Sequence, residues 1–374
     1  MNQENRLYEY RSAIGKARHD LITPALILDL DVARRNITTM ADYMRGMAAQ
    51  LRPHIKVHKS PELARLQMEA GACIGVTTAT VWEAVVMARG GINDILVANA
   101  VVGPEKISTI AELAREAHIL VAIDDEQNAE DLSQAALKAG SVLGVLIDLD
   151  VGMGRCGARS KEEALRLARC VSRLRGLRFE GMMGYEGHCM LEPDPELRVR
   201  KARAAMDSLM ETVDFLAQYG FESKIISGGG TGTYNITGAH PRLTELQAGS
   251  YVVMDAFHAQ LIPAFPVALT VLGTVISRHG SRVILDSGRK AIGSELGLPR
   301  LKDVPSTTVG IAEEHLLVDV DAASSLTVGD RVEVVSGYGP TTVNLHDVYY
   351  VVERDVVTDV WPVQARAAGL GPYR

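Results

Sequence analysis

The sequence predicts an α/β fold: a (β/α)8 barrel followed by an all-β C-terminal domain. Three observations carry this expectation. From about residue 25, short apolar runs alternate with stretches whose apolar residues recur every three or four positions. Eight such units are complete by residue 230, which suits a closed barrel, with a doubly wound open sheet as the alternative. After about residue 260, β-branched runs broken by Gly, Asp and Arg-His turns take over, with little helical spacing. The expected division is a barrel over residues 25–258 and a β-rich domain made of 1–24 and 259–374.

The strand-like runs, in order, are "ALILDL", "HIKVH", "CIGVTT", "DILVANA", "ILVAID", "VLGVLIDLD", "FEGMMGY" and "SKIISGG". Between them lie amphipathic stretches such as "DVARRNITTMADYMRGM", "ELARLQMEAG", "TVWEAVVMARGG" and "SKEEALRLARCVSRLRG", several of which end in Gly, as helix C-termini prefer. The C-terminal strands are read from "VALTVLGTVISRHGSRVILDSG", "DRVEVVSGYG" and "VYYVVERDVVTDVW". No low-complexity segment interrupts the pattern.

The chain has 374 residues, 47% of them hydrophobic, enough for one large domain plus a smaller one. A net charge of −7 without a long basic run argues against nucleic acid as the main partner and leaves a small molecule. The four cysteines lie far apart with no C-x-x-C pair, which points to a reduced, cytoplasmic protein without a disulfide framework or zinc knuckle. No apolar run approaches the ~20 residues a membrane span needs, and the first twenty residues lack the apolar core of a signal peptide.

The chemistry is concentrated in four stretches. In "LRPHIKVHKS" (residues 51–60), strand alternation would put Arg52, His54, Lys56 and His58 on one face and Lys59 on the other. Lys56, flanked by His54 and His58 at a barrel mouth, has its ammonium form disfavoured and is a candidate Schiff-base former. A charged strand end solvated by a loop is the alternative. "SGGGTGTYN" (227–235) closes a strand around Ser227, Gly229, Gly230 and Thr231, exposing backbone N–H groups in a nest suited to a phosphate. Its position in the seventh or eighth β/α unit is where barrels often hold one. An early lysine and a late phosphate nest together suggest pyridoxal 5′-phosphate, a phosphorylated aldehyde needing both. "DVGMGRCGARS" (150–160) carries Arg155 on a Gly-rich turn, placed to hold a cofactor phenolate or a substrate carboxylate, or simply solvated on the surface. In "GYEGHCM" (184–190), Tyr185 could stack on a flat cofactor, and His188 is a candidate acid/base, whereas Cys189 reads as inert.

The motifs "TPALILDLDVARRNI", "LRPHIKVHKSPELARLQMEAGA", "DVGMGRCG", "ISGGGTGTY", "LTELQAGSYVVMD", "VNLHD" and "VWPVQARA" resemble, in order, the D-threonine aldolase / D-serine dehydratase family, pyridoxal phosphate enzymes of the alanine racemase-like fold. The resemblance spans about residues 22–368. It implies that Lys56 bears the cofactor, that Arg155 lies by its ring oxygen and that Tyr185 lies at its ring. It also implies that the backbones of Gly229, Gly230, Thr231, Gly249, Ser250 and Tyr251 cradle the phosphate, and that the enzyme is a homodimer.

Two departures from the family stand out. Where relatives carry a divalent-metal pair, this chain has Tyr338 and Pro340, and Pro offers no side-chain donor. His346 and Asp347, read as adjacent strand residues, would point to opposite faces and not chelate together. Where relatives carry a catalytic histidine, this chain has Leu191, the nearest histidine being His188. The expectation is therefore a lyase acting on a D-amino acid without a metal. It would perform aldol cleavage of a β-hydroxy D-amino acid, or its dehydration, with His188, His58 or a water as base. A racemase using Lys56 and a second base, or a non-catalytic cofactor-binding protein, are the alternatives.

Overall fold

The computed structural model describes residues 9–366, which divide into two units. Strands are numbered in chain order. The larger unit comprises Met40–Lys56 and Pro61–Gly249 and contains eight parallel strands. They are β2 (Gln50–Leu51), β3 (Val76–Thr78), β4 (Asp94–Val97), β5 (His118–Ile123), β6 (Leu143–Asp148), β7 (Leu177–Gly184), β8 (Ile225–Gly228) and β9 (Glu245–Leu246). Their order is β2-β9-β8-β7-β6-β5-β4-β3, and the edges meet through bridges from Leu51 to Cys73 and His54 to Thr77. Ile74 N–H donates to Leu51 O (3.1 Å) and Thr77 N–H to Pro53 O (2.9 Å), so the sheet closes on itself as a barrel.

The intervening helices form where capping residues precede an amphipathic run. Asp125 accepts from Asn128 N–H at the start of Glu126–Ala139, and Ser160 accepts from Glu163 N–H at the start of Lys161–Arg173. Gly140 ends the former in the left-handed conformation that favours glycine. Inside the barrel, Leu96, Leu120, Ala122, Leu146 and Met183 form one buried layer, and this layer fixes which residues of every strand point inward.

The second unit holds the chain up to Thr39, Val57–Ser60 and Ser250–Arg366. Here β1 (Ala25–Asp29) pairs antiparallel with β10 (Leu269–His279) and parallel with β16 (Val348–Glu353). The sheet continues through β11 (Arg282–Leu285), β14 (Leu316–Val320) and β13 (Ser306–Ile311) on one side and β17 (Val356–Pro362) on the other. β15 (Arg331–Val335) pairs with β10 and with β12 (Arg300–Leu301). Its core packs Ala25, Ile27, Leu272, Val348, Val352, Val357 and Val360.

The all-β C-terminal unit is as expected, but its first strand is not where the sequence put it. "ALILDL" was expected to open the barrel; instead β1 belongs to this sheet. Its four leading residues are all buried, and a run buried on both faces reads alike in either sheet. The barrel is completed by β9, whose two residues are too few for any periodic signal. Among the described residues, no helix is long and apolar enough to cross a membrane.

Candidate active site

Side chains alternate along a strand, so two residues beyond the buried barrel layer the next inward layer lies at the C-terminal mouth. From Ala122, Leu146, Met183 and Ile225 this gives Asp124, Asp148, Tyr185 and Ser227. Lys56 reaches the same layer: its Nζ lies 5.6 Å from the centroid of the Tyr185 ring, within cation–π range.

Lys56 arrives there by a different route from the one predicted. The pairing of β2 with β9 ends at Leu51, and Arg52 turns its guanidinium to Glu245, donating from Nε and Nη2 at 2.8 Å each, and to Asp94. Glu245 and Asp94 open β9 and β4, so this buried cluster lies at the N-terminal ends of the strands, away from the mouth. Hydrogen bonding to the neighbouring strands runs on through the Arg52 N–H, the Pro53 carbonyl and the His54 N–H, and Ile55–Val57 then forms a single 3-10 turn that breaks the alternation. The predicted inward row Arg52-His54-Lys56-His58 therefore does not exist as a row. His54 stays in the barrel wall, where its carbonyl lies so close to Gly249 that a methyl there would sit 2.3 Å from the oxygen. His58 falls in the second unit with no solvent exposure, its Nδ1 accepting the Ser60 N–H at 3.2 Å and its carbonyl the Tyr349 hydroxyl at 2.6 Å. That nitrogen is occupied in holding the turn, which argues against His58 as a base. Lys59, at φ +55°, also lies in the second unit.

The Gly-rich loop after β8 is built on a residue that the sequence reading passed over. Glu186, 1% exposed, accepts from Gly229 N–H at 3.1 Å, from Thr233 Oγ1 at 2.6 Å and from Thr237 Oγ1. Gly229 has φ +76°, and a methyl on it would lie 2.4 Å from Leu246 Cδ1, so only glycine fits. Gly230 faces the Tyr185 ring, where a methyl would lie 3.3 Å from Cε2. Thr231–Thr233 then forms a 3-10 turn with Thr231 buried. The Ser227 side chain is engaged below the loop, accepting from Gln247 Nε2 at 2.9 Å. With the Gly229 N–H on Glu186 and the Gly230 N–H on Thr233 Oγ1 at 3.2 Å, what this stretch offers beside the Tyr185 ring is space free of side chains. In the second unit, Ser250–Val252 forms another 3-10 turn, with Tyr251 fully buried and its ring 5.7 Å from that of Phe265.

Arg155 is exposed on the turn that follows β6. Asp150 Oδ1 accepts from Gly152 N–H and Gly154 N–H, both at 3.0 Å, while its other oxygen pairs with Arg159. Asp124 Oδ2 accepts from Gly157 N–H at 2.8 Å, and Arg159 donates to the Arg155 carbonyl at 2.8 Å. His188 packs against this turn: a methyl on Gly152 would lie 2.9 Å from its Cε1. Its Nε2 lies 3.6 Å from Cys189 Sγ, and its buried Nδ1 has no hydrogen-bond partner among the described residues. Burial, then the charge of Glu186, pushes the Cys189 thiol up to about 11, so it stays protonated and inert. Leu191 is 65% exposed.

Tyr338, where the sequence led us to expect the metal pair, caps the helix Gly339–Asn344, and Pro340 stands in its first turn. The Tyr338 ring stacks on His258 with centroids 6.3 Å apart, His258 Nδ1 lies 2.8 Å from Asp255 Oδ1, and Gly339 N–H donates to Asp255 Oδ2 at 2.8 Å. His346 and Asp347 lie in a turn before β16, not in a strand as read from the sequence. His346 Nε2 lies 2.8 Å from Ala291 O, and Asp347 takes Arg366 and the Tyr10 hydroxyl. Among the described residues there is no group of three or more His, Cys, Asp or Glu arranged to hold a metal.

Comparison with known proteins is consistent with this geometry. Residues 28–256 match the alanine racemase N-terminal domain family, and residues 268–352 match a putative serine dehydratase domain. The chain is 36% identical to a 3-hydroxy-D-aspartate aldolase of Paracoccus denitrificans (strain Pd 1222), over 97% of this chain and 96% of that enzyme. It is 37% identical to a D-threonine aldolase of an Arthrobacter species, over 92% of each. The crystal structure of D-threonine aldolase from Filomicrobium marinum superposes with a TM-score of 0.90 at 35% identity, covering 94% of this chain and 98% of that one.

Proposed function

The chain belongs to the alanine racemase-like family that includes the D-threonine and 3-hydroxy-D-aspartate aldolases, and we propose that it is a pyridoxal phosphate-dependent lyase cleaving β-hydroxy D-amino acids. The observation that carries this reading is Lys56 beside Tyr185 at the barrel mouth, next to the glycine backbone at Gly229–Gly230. These residues fit the cofactor: an amine for its aldehyde, a ring for its face, and a loop kept free of side chains for its phosphate. When bound, pyridoxal phosphate supplies the electron sink for negative charge at the substrate Cα.

The chain's own residues supply the rest. Lys56 carries the amine, and Tyr185 presents an aromatic face over which that amine sits. The phosphate is assigned to the backbone of Gly229, Gly230, Thr231 and Gly249, where the Gly229 N–H is held by Glu186 and the Gly230 N–H by Thr233 Oγ1, so that the two glycines contribute space rather than donors. Arg155 holds an anionic oxygen at the mouth. His188, whose buried Nδ1 has no partner among the described residues, is the residue we assign to hold the proton of the substrate β-hydroxyl, in place of the family's histidine. With Tyr338 and Pro340 at the family's ligand positions, turnover proceeds without a divalent metal. We also propose a homodimer, read by light scattering as twice the chain mass of 40.4 kDa. The four free cysteines suit a cytoplasmic enzyme.

The test has two parts. Purified protein with pyridoxal phosphate should show the absorbance of a lysine-bound cofactor, lost in Lys56→Ala and kept in Lys59→Ala; retention in Lys56→Ala refutes the assignment. A panel of D- and L-β-hydroxy amino acids should give glycine plus aldehyde, or a keto acid plus ammonia, from D-substrates alone. Turnover that EDTA abolishes and Mn2+ restores would overturn the metal-free reading.

A further inference from the structure

Three consecutive residues of the turn after β6 pack on the segment that carries Tyr185 and His188. Val151 Cγ1 lies 2.8 Å from where a methyl on Gly184 would stand, and Met153 Sδ 3.0 Å from one on Gly187. Between them, Gly152 faces the His188 ring, with Cε1 at 2.9 Å and Nε2 at 3.1 Å from a methyl in its place. The ring has little else to orient it. Its Nδ1 has no hydrogen-bond partner among the described residues, and its Nε2 has only the Cys189 sulfur at 3.6 Å, a weak partner. An acid/base histidine is ordinarily aimed by a hydrogen bond on its second nitrogen; here that part falls to the backbone at Gly152. One side chain shapes this backbone. Asp150, its carboxyl 10% exposed, accepts from Gly152 N–H and Gly154 N–H through Oδ1 and takes Arg159 on the other oxygen. The base of the turn is closed by Ala158 N–H on Asp148 O (2.9 Å) and Asp150 N–H on Ala158 O (3.1 Å). Beyond His188, Met190 fills the space that a side chain on Gly232 would need, which backs the segment with the Gly-rich loop.

We propose that Asp150 is the positioning residue for His188, acting through the Gly152 backbone. This rests on the reading of His188 as the group that takes the β-hydroxyl proton. By holding both amides, the Asp150 carboxylate fixes the peptide on which the imidazole leans, so the ring keeps one orientation without a polar partner of its own. A carboxylate bonded to the imidazole itself would favour the imidazolium; a backbone contact aims the ring without adding charge to it. Burial works against the charge of Asp150, but the Gly154 and Gly152 amides and Arg159 outweigh it and hold the carboxyl below the usual range. Asp150 therefore stays ionised through neutral pH, and the turn keeps its shape while His188 exchanges its proton. Asp150→Asn retains a side-chain oxygen for the two amides, whereas Asp150→Ala retains none.

The experiment pairs NMR of the ring with kinetics on the full chain. In protein labelled with 13C at histidine Cε1, the His188 resonance is identified by its absence in His188→Gln. Asp150→Ala should shift or split that resonance, whose carbon faces Gly152, and Asp150→Asn should leave it close to wild type. With the best D-substrate of the panel, kcat should fall about 10- to 100-fold in Asp150→Ala, with KM and cofactor absorbance within about twofold of wild type. Asp150→Asn should bring kcat back to within about threefold. Should Asp150→Ala fail to fold, Asp150→Ser, whose hydroxyl reaches one amide only, carries the same test. Wild-type kcat in the variant, or an unmoved His188 resonance, overturns the proposal; if His188→Gln is inactive at the same time, the base reading stands. A His188→Gln variant that keeps wild-type kcat overturns the base reading and this proposal with it.

Discussion

Replacing Glu186 should collapse the Gly-rich loop, and the size of the effect follows from its contacts. Three donors converge on this carboxylate: the Gly229 amide and the hydroxyls of Thr233 and Thr237. A buried donor deprived of its acceptor costs about 1–3 kcal/mol. The three together would give about 3–9 kcal/mol if none found a new partner. The two hydroxyls can rotate toward backbone carbonyls, whereas the Gly229 amide, fixed at φ +76°, cannot. The expected loss for Glu186→Ala is thus near the lower end, about 3–5 kcal/mol. At about 2–4 °C per kcal/mol, thermal unfolding should fall by roughly 6–20 °C. Glu186→Gln retains an amide oxygen for Gly229 and an amino group that both threonine oxygens can accept, and should cost about 1 kcal/mol. Thermal melts of both variants, with pyridoxal phosphate titrations beside them, read the outcome. If Glu186→Ala melts within 2 °C of wild type (a shift of less than about 1 kcal/mol) and binds the cofactor as tightly, the carboxylate is not what holds the loop.

Two more predictions concern the neighbourhood of the site and the floor of the barrel. Gly152→Ala places a methyl within 2.9 Å of His188 Cε1 on a backbone at φ +121°, so His188 must move; kcat should drop by about 100-fold while cofactor absorbance persists, and unchanged kcat would dismiss His188 as the base. At the floor, the hydrogen bond that His118 Nδ1 donates to Asp94 is the main cause raising the His118 pKa; burial opposes the charge of Asp94, but His118 and Arg52 outweigh it and hold its pKa down. A raised histidine stabilises most below its unfolded pKa of about 6.5, and a depressed aspartate above its own of about 3.9, so the pair contributes fully between them. Melting temperature should therefore fall as pH rises from 6 to 8, a slope that His118→Gln flattens; equal slopes would remove the pair from the account.

The sequence was most informative where many residues repeat one pattern. The amphipathic helices and the long apolar strands β5, β6 and β7 fell where periodicity put them, and the count of eight barrel strands held, though by two errors that offset each other. β1 was counted in and belongs to the other sheet, while β9, with two residues, was too short to see. The site was legible by residue type and opaque in its supports. Lys56, Tyr185 and the Gly-rich loop do come together, but strand alternation was the wrong reason for Lys56, because the 3-10 turn at Ile55–Val57 ends the strand first. His58 was misplaced by the same assumption. Glu186, Asp124 and Asp148 were missed because a single acidic residue beside an apolar run looks like the start of a loop. Their signal is parity: each stands at or just past the mouth end of a strand, and the inward phase of Asp124 and Asp148 is set by a layer that only tertiary packing reveals.

The placement of β1 also bears on how the chain reaches this state. Ala25 pairs with Leu272 and Ile27 with Tyr350, so β1 is completed by strands that are made far later. At about 5–20 residues per second of synthesis, the roughly 250 residues between Ala25 and Leu272 take about 12–50 s to appear. Throughout that time the nascent strand is an unpaired apolar segment, while the whole barrel is emerging behind it. Such long-range closure is slow to fold and exposed to misassembly, so the late step in maturation should be sheet assembly around β1 and not the barrel. An N-terminal fragment ending at Gly249 would carry every barrel strand and still leave β1 with neither of its neighbours.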